Sequence, residues 1–129
     1  MNKKLSAQVV LQRYIAEDLP EFVGISLNDV NQKGGFGNAP LNIAATRGDV
    51  EEVEALLDGG ADINVRGEQQ CTPLHDAVGQ GHAAVVQLLL RRGASTSLRD
   101  DSGFSAKDVA IRRGHKAIAA LFDEAEKRR

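Results

Sequence analysis

The sequence predicts an all-α solenoid: helix-turn-helix units stacked side by side, joined by hairpin-like loops and closed by capping helices at both ends. Three observations lead there. The chain matches itself at an offset of 33 residues, so that Gly48, Gly81 and Gly114 share one register, as do Ala44, Ala77 and Ala110. Pro40-Leu41 returns as Pro73-Leu74, Gly60-Ala61 as Gly93-Ala94, and Asp29-Val30-Asn31 as Asp62-Ile63-Asn64. A fixed period of this length marks a chain in which each copy is one supersecondary unit and neighbouring copies share a continuous core. Second, apolar residues recur at helical spacing within the copies; Val85, Val86, Leu88, Leu89 and Leu90 cover one broad face that must be buried. Third, 42% hydrophobic residues with only 4% aromatic, no Trp and one Tyr suit an aliphatic helical core with little aromatic packing.

Taken in order, the 129 residues divide as one domain into a leading segment (1–35), two full copies (36–68 and 69–101) and a closing copy (102–129). In the leading segment Val9, Val10, Leu11, Tyr14, Ile15 and Leu19 suit one amphipathic helix that stops at Pro20, because proline disfavours helical geometry in the residue before it. The role expected of this helix is to cover the open end of the stack; a short partner-binding element is the alternative. The stretch from Pro20 to Leu27 follows no repeat spacing. Lys33-Gly34-Gly35-Phe36-Gly37 is expected to be a flexible hairpin tip, since it lacks the order of a phosphate-binding loop and follows no apolar strand.

In the copy at 69–101 the signals are strongest. Thr72 is a good N-cap, and Pro73 fits the first turn because its missing N–H would have no partner there. The first helix therefore starts at Pro73. Gly81, like Gly48 one copy earlier, sits where a short helix must stop and the chain must adopt positive φ. A second helix follows from His82 to Leu90, with Gly93 as its stop. The closing copy keeps Ala110, Gly114-His115 and Leu121, but has Ser105-Ala106-Lys107-Asp108 where the preceding copy has Thr72-Pro73-Leu74-His75.

Thr72-Pro73-Leu74-His75-Asp76-Ala77 is a full match to the T-P-L-H-x-A pattern, and the chain closely resembles the ankyrin repeat family. The copy at 36–68 has Ala39-Pro40-Leu41-Asn42 at that place and Gly59-Gly60-Ala61-Asp62-Ile63-Asn64 at its end. The resemblance implies that the His75 ring serves hydrogen bonding in the turn. It also implies that function is protein binding, carried by the hairpin tips and the exposed face of each first helix. Here those are residues 32–38, 65–70 and 98–103, with Ile43, Thr46 and Arg47, then Asp76, Gly79 and Gln80, then Val109, Arg112 and Arg113. Aromatic and arginine side chains dominate interface energetics, so Phe36, Arg47, Arg66, Gln80, Arg99 and Arg113, together with Asp76, are the expected partner-binding residues. An adaptor that holds another protein is the first reading, and an inhibitor or immunity-type protein of the kind found among short bacterial ankyrin proteins is the alternative.

Other classes are disfavoured. A formal net charge of −2 argues against nucleic acid as the partner, although the charge is unevenly spread, net −5 over residues 1–70 and net +3 over 71–129. The single cysteine, Cys71, excludes an intramolecular disulfide framework and fits a reducing, cytoplasmic setting. It stands four residues before His75, but no third group is placed to orient a nucleophile and base. None of His75, His82 and His115 has a second ligand at i+3 or i+4, so neither a metal nor another cofactor is expected. Arg91-Arg92 and Arg112-Arg113 lie near helix C-termini, where positive charge is favoured. No apolar run is long enough to span a membrane. The sequence thus predicts a cytoplasmic, monomeric, non-catalytic protein.

Overall fold

The structure, a computed structural model, describes residues 4–128. It contains, among these residues, α1 (Ala7–Ala16), α2 (Pro40–Arg47), α3 (Val50–Asp58), α4 (Pro73–Gly79), α5 (Ala83–Arg91), α6 (Ala106–Arg112) and α7 (Lys116–Lys127). A short 3-10 turn, Pro20–Phe22, and a tight turn at Glu68–Gln70 whose backbone departs from helical geometry lie between them. Helices α2, α4 and α6 form one layer, called inner, and α3, α5 and α7 a second, called outer, each helix packing on its counterpart in the next copy, while α1 packs on α3. The helical repeat solenoid read from the 33-residue period is what forms.

The copies are held in register by polar groups that repeat with them. At the start of each inner-layer helix the third helical residue reaches back to the N-cap amide: Asn42 Oδ1 accepts from Ala39 N (2.9 Å), His75 Nδ1 from Thr72 N (3.2 Å), and Asp108 Oδ2 from Ser105 N (3.0 Å). Three different side chains therefore do the same capping work. The first two also reach forward into the next copy, Asn42 Nδ2 to the Cys71 carbonyl (3.4 Å) and the His75 Nε2–H to the Phe104 carbonyl (2.9 Å). With Nδ1 accepting, His75 is the neutral Nε2–H tautomer, and burial holds its pKa below the usual histidine value. A second ladder runs along the hairpins, Asn31 Oδ1 accepting from Asp62 N (2.7 Å) and Asn64 Oδ1 from Ser95 N (2.9 Å).

Gly48 ends α2 at φ +74°, and a Cβ there would lie 2.5 Å from the His82 ring, whose Nε2 bonds the Thr46 carbonyl (3.0 Å). Conformation and space both demand glycine.

Three expectations need correction. The few aromatics are not marginal to packing: Tyr14 and Phe122 are fully buried, and Phe22 is buried and stacked on Tyr14 at 6.3 Å. Tyr14 and Phe22 sit beside the first copy of the stack and Phe122 on α7 in the last. The glycine-rich tip is not free either. The buried Glu21 carboxylate accepts from Phe36 N (2.7 Å), Asn38 N (3.3 Å) and Asn38 Nδ2 (2.7 Å), and its carbonyl accepts from Gly35 N (2.7 Å). The amides of Phe36 and Asn38 are already taken by an anion of the chain's own. Finally, α1 ends at Ala16, three residues before Leu19.

Glu52 is the least expected core residue. It is in register with Val85 and Ile118, yet it is fully buried. Its carboxylate accepts from the Tyr14 hydroxyl (2.6 Å) and Arg13 Nη1 (3.1 Å), with Arg47 Nε at 3.7 Å. Burial and this carboxylate hold the Tyr14 phenol well above its ordinary pKa.

Candidate functional site

One cleft of about 260 Å³ opens on the inner-layer side of the stack. Its floor is built by α4 and α6. Helix spacing puts Asp76, Gly79 and the C-cap residue Gln80 on one cleft-facing stripe at α4 and Val109 and Arg113 on the matching stripe at α6, and the hairpin residues Gln69, Cys71 and Asp100 form the facing wall. Thr46 closes the end toward α2. Gly79 carries no side chain into this space, and a Cβ there would meet nothing within 4 Å.

Of the expected partner-binding residues, Asp76, Gln80 and Arg113 meet in this cleft. The other four lie elsewhere. Phe36 is 60% exposed on the tip that Glu21 ties down. Arg47 turns away, bonding Glu17 through Nη1 (2.7 Å) and Nη2 (3.3 Å) with its guanidinium 5.2 Å from the Tyr14 ring centre. Its first commitment is thus to α1. Arg66 donates to the carbonyls of Gln70 (2.8 Å) and Arg99 (2.6 Å), and Arg99, in the same register, donates to the Gly103 carbonyl (2.8 Å) and Asp108 Oδ2 (3.5 Å). Both brace hairpins. Sequence reasoning grouped these positions by register but could not tell which arginines the chain itself would engage.

Asp76 carries the cleft's most perturbed charge. Loss of water pushes its carboxyl up to about 7, the bond from Asn42 Nδ2 (3.0 Å) draws it back, and Glu68 adds repulsion. Its register mates are Ile43 and Val109, so apolar side chains stand on either side of it in the stack. A carboxyl whose folded pKa is raised contributes stability that is full below the unfolded pKa and is lost as pH rises through the folded value. Asp76→Asn keeps an acceptor for Asn42 and removes that loss. It is therefore expected to be more stable than the parent near pH 8, by on the order of 2 kcal/mol, and close to it near pH 4. Urea titrations of both proteins at the two pH values check this; because His75 has the opposite sign, only the difference between them is read.

Cys71 is half-buried, and burial with the nearby carboxylates, Asp76 first, pushes its thiol up to about 11. It stays a thiol near neutrality, and both nitrogens of His75 are bonded elsewhere, so this pair has no activated nucleophile.

The hairpin wall also holds strained backbone. Gln69 and Gln70 have φ of 58° and 60°, in the left-handed region that costs a non-glycine residue free energy. Gln70 is in register with Gly37 (φ 92°) and Gly103 (φ 86°), where glycine meets the same demand.

A family model described as ankyrin repeats, in three copies, matches residues 10–100. The chain belongs to the ankyrin repeat family. The match begins within α1 and ends at Asp100, and α6 and α7 continue the same two layers beyond it. Ankyrin repeats are in general protein–protein interaction modules, and the family is typically non-catalytic. No curated protein matches the sequence. Among the described residues no helix of this ankyrin repeat protein is long and apolar enough to cross a membrane.

Proposed function

We propose that this ankyrin repeat protein is a non-catalytic module that holds a protein partner in the cleft between the α4–α6 stripe and the facing hairpins. The observation that carries the reading is the convergence there of Asp76, Gln80 and Arg113, an acid, an amide and a base within one open groove. Strain at Gln69 and Gln70 supports it, since the tip keeps side chains beside the cleft where glycine would relax the backbone. Phe36 belongs to the reading as a separate exposed anchor on the first tip, and Arg66 and Arg99 as residues that fix the hairpin wall. The negative formal charge and single cysteine support a cytoplasmic monomer that binds neither nucleic acid nor membrane.

The test is affinity capture from the native host's lysate, with intact protein, a Gln80→Ala/Arg113→Ala variant and a Phe36→Ala variant, each shown to be folded by circular dichroism. A protein retained by the parent and lost by the double variant supports the cleft. Retention by the double variant with loss on Phe36→Ala moves the site to the tip. The identity of the retained protein, and whether its activity falls on binding, separates an adaptor from an inhibitor or immunity-type role.

A further inference from the structure

Ile111 is in register with Ala45 and Val78, both fully buried, yet it is 60% exposed. It faces the end of the stack, beside a hollow of about 340 Å³ that it shares with Arg99, Gly103, Phe104, Asp108 and Arg112. A second hollow, of about 410 Å³, adjoins the cleft, with which it shares Asp100, Val109 and Arg113, and is completed by Phe104 and Arg112. Phe104 and Arg112 are the wall common to both. The Arg112 guanidinium lies over the Phe104 ring, its Cζ 4.3 Å from the ring centre, a contact that holds the group in place without using its N–H donors. Arg99 and Arg113 spend donors on the carbonyls of Gly103 and Gly79, whereas Arg112, among the described residues, donates no hydrogen bond and forms no ion pair. Asp108, the nearest acid on α6, already accepts from Ser105 N and pairs with Arg99.

The end face itself is closed to further stacking. Lys107 occupies the register of Leu41 and Leu74, which are buried, and its ammonium pairs with Asp123 (2.7 Å) and Glu126 (3.8 Å) on α7. A further repeat or a second copy laid over this face would have to strip water from that pair, which costs more than it returns without new partners. An occupant must instead grip the rim and leave Lys107 wet. Its chemistry follows from the two unmet groups: an apolar side chain for Ile111 and Phe104, and a carboxylate for the planar guanidinium of Arg112. The acids lining the two hollows, Asp100 and Asp108, repel a continuous phosphate backbone but tolerate one carboxylate placed on Arg112.

We propose that Phe104, Ile111 and Arg112 form an anchor subsite for an extended peptide segment of the partner in which an aspartate or glutamate stands beside a large aliphatic or aromatic residue. This rests on the reading of the cleft as a protein-binding surface, and adds to it where the partner is gripped and by what chemistry.

The test is selection of a random dodecapeptide display library on the intact protein, followed by fluorescence-anisotropy titration of the enriched peptides. Enriched sequences are expected to place an acid within two positions of Leu, Ile, Phe or Met. Ile111→Ser and Arg112→Ala are each expected to raise Kd by about tenfold or more, a loss typical of an interface anchor. Replacing the peptide's acid by its amide is expected to cost little further in the Arg112→Ala protein, the signature of a direct pair, and Arg112→Lys is expected to restore binding only in part. Both residues are exposed, and circular dichroism verifies that the variants fold. Enriched peptides without an acid, affinity indifferent to both substitutions, or no enrichment at all would overturn the proposal. If the rim variants retain a lysate partner that Gln80→Ala/Arg113→Ala loses, the rim proposal fails and the cleft reading stands; loss by neither variant fails both.

Discussion

Glu52→Ala is expected to lower the free energy of unfolding by about 3–5 kcal/mol, the loss typical when one partner of a buried charged pair is removed. The carboxylate is fully buried on α3 and gathers donors from α1 and α2. Deleting it opens a cavity, leaves the buried Tyr14 hydroxyl without its acceptor and frees Arg47 from one of its two acids. Glu52→Val separates these contributions. It installs the residue that the register calls for, as at Val85, and restores most of the volume, so its loss is expected to be smaller than that of alanine; Arg13, with 42% of its side chain exposed, can turn to water. Tyr14→Phe is expected to cost about 1–3 kcal/mol through the unmet carboxylate. Urea titration monitored by circular dichroism gives all three values. A near-neutral Glu52→Ala would mean that α1 is not docked through this carboxylate.

The same residue explains what the sequence left unread. A 33-residue register says which positions face the core, and the Thr72 cap, Pro73, Gly81 and Gly93 are enough to read the α4–α5 pair from the sequence. It expects position 52 to be apolar, since its mates are Val85 and Ile118. Only the fold reveals that α1 brings Tyr14 and Arg13 to that spot, and that the chain therefore places a charge at the junction of the irregular segment with the regular stack. Arg47 is the counterpart on the exposed side. Periodicity grouped it with Gln80 and Arg113, but its nearest acids, Glu17 and Glu52, come from outside the first rung's own helix. Asp108 failed to register as a capping residue because the motif at that place is written with histidine, although the geometry needs only an acceptor three residues into the helix. Ile111 could have been found: compared with Ala45 and Val78 it is a core-type residue in a closing copy, beside a Lys107 that is not.

Leu89→Ala is expected to cost about 2–5 kcal/mol, the range for removing a buried leucine whose cavity relaxes only in part. Leu89 is fully buried in α5, in register with Leu56 on α3 and Phe122 on α7, which are also fully buried, and α5 packs on both of those helices as well as on α4. A stack of this kind is stabilised by each copy's own packing plus its contacts with nearest neighbours. A cavity in the central copy therefore weakens two interfaces at once, whereas Phe122→Ala, of comparable size at about 3–5 kcal/mol, weakens only the last. The expected distinction lies in the shape of denaturation. With Leu89→Ala the transition midpoint falls while the chain still unfolds as one unit, because α3 on one side and α7 on the other both pack on α5. Phe122→Ala is expected to reduce the slope of the main transition as α7 detaches early and exposes its share of surface beforehand. Equal slopes for both variants would mean that the outer layer behaves as a single rigid sheet of helices, and a near-neutral Leu89→Ala would mean that α5 presents a different face to its neighbours.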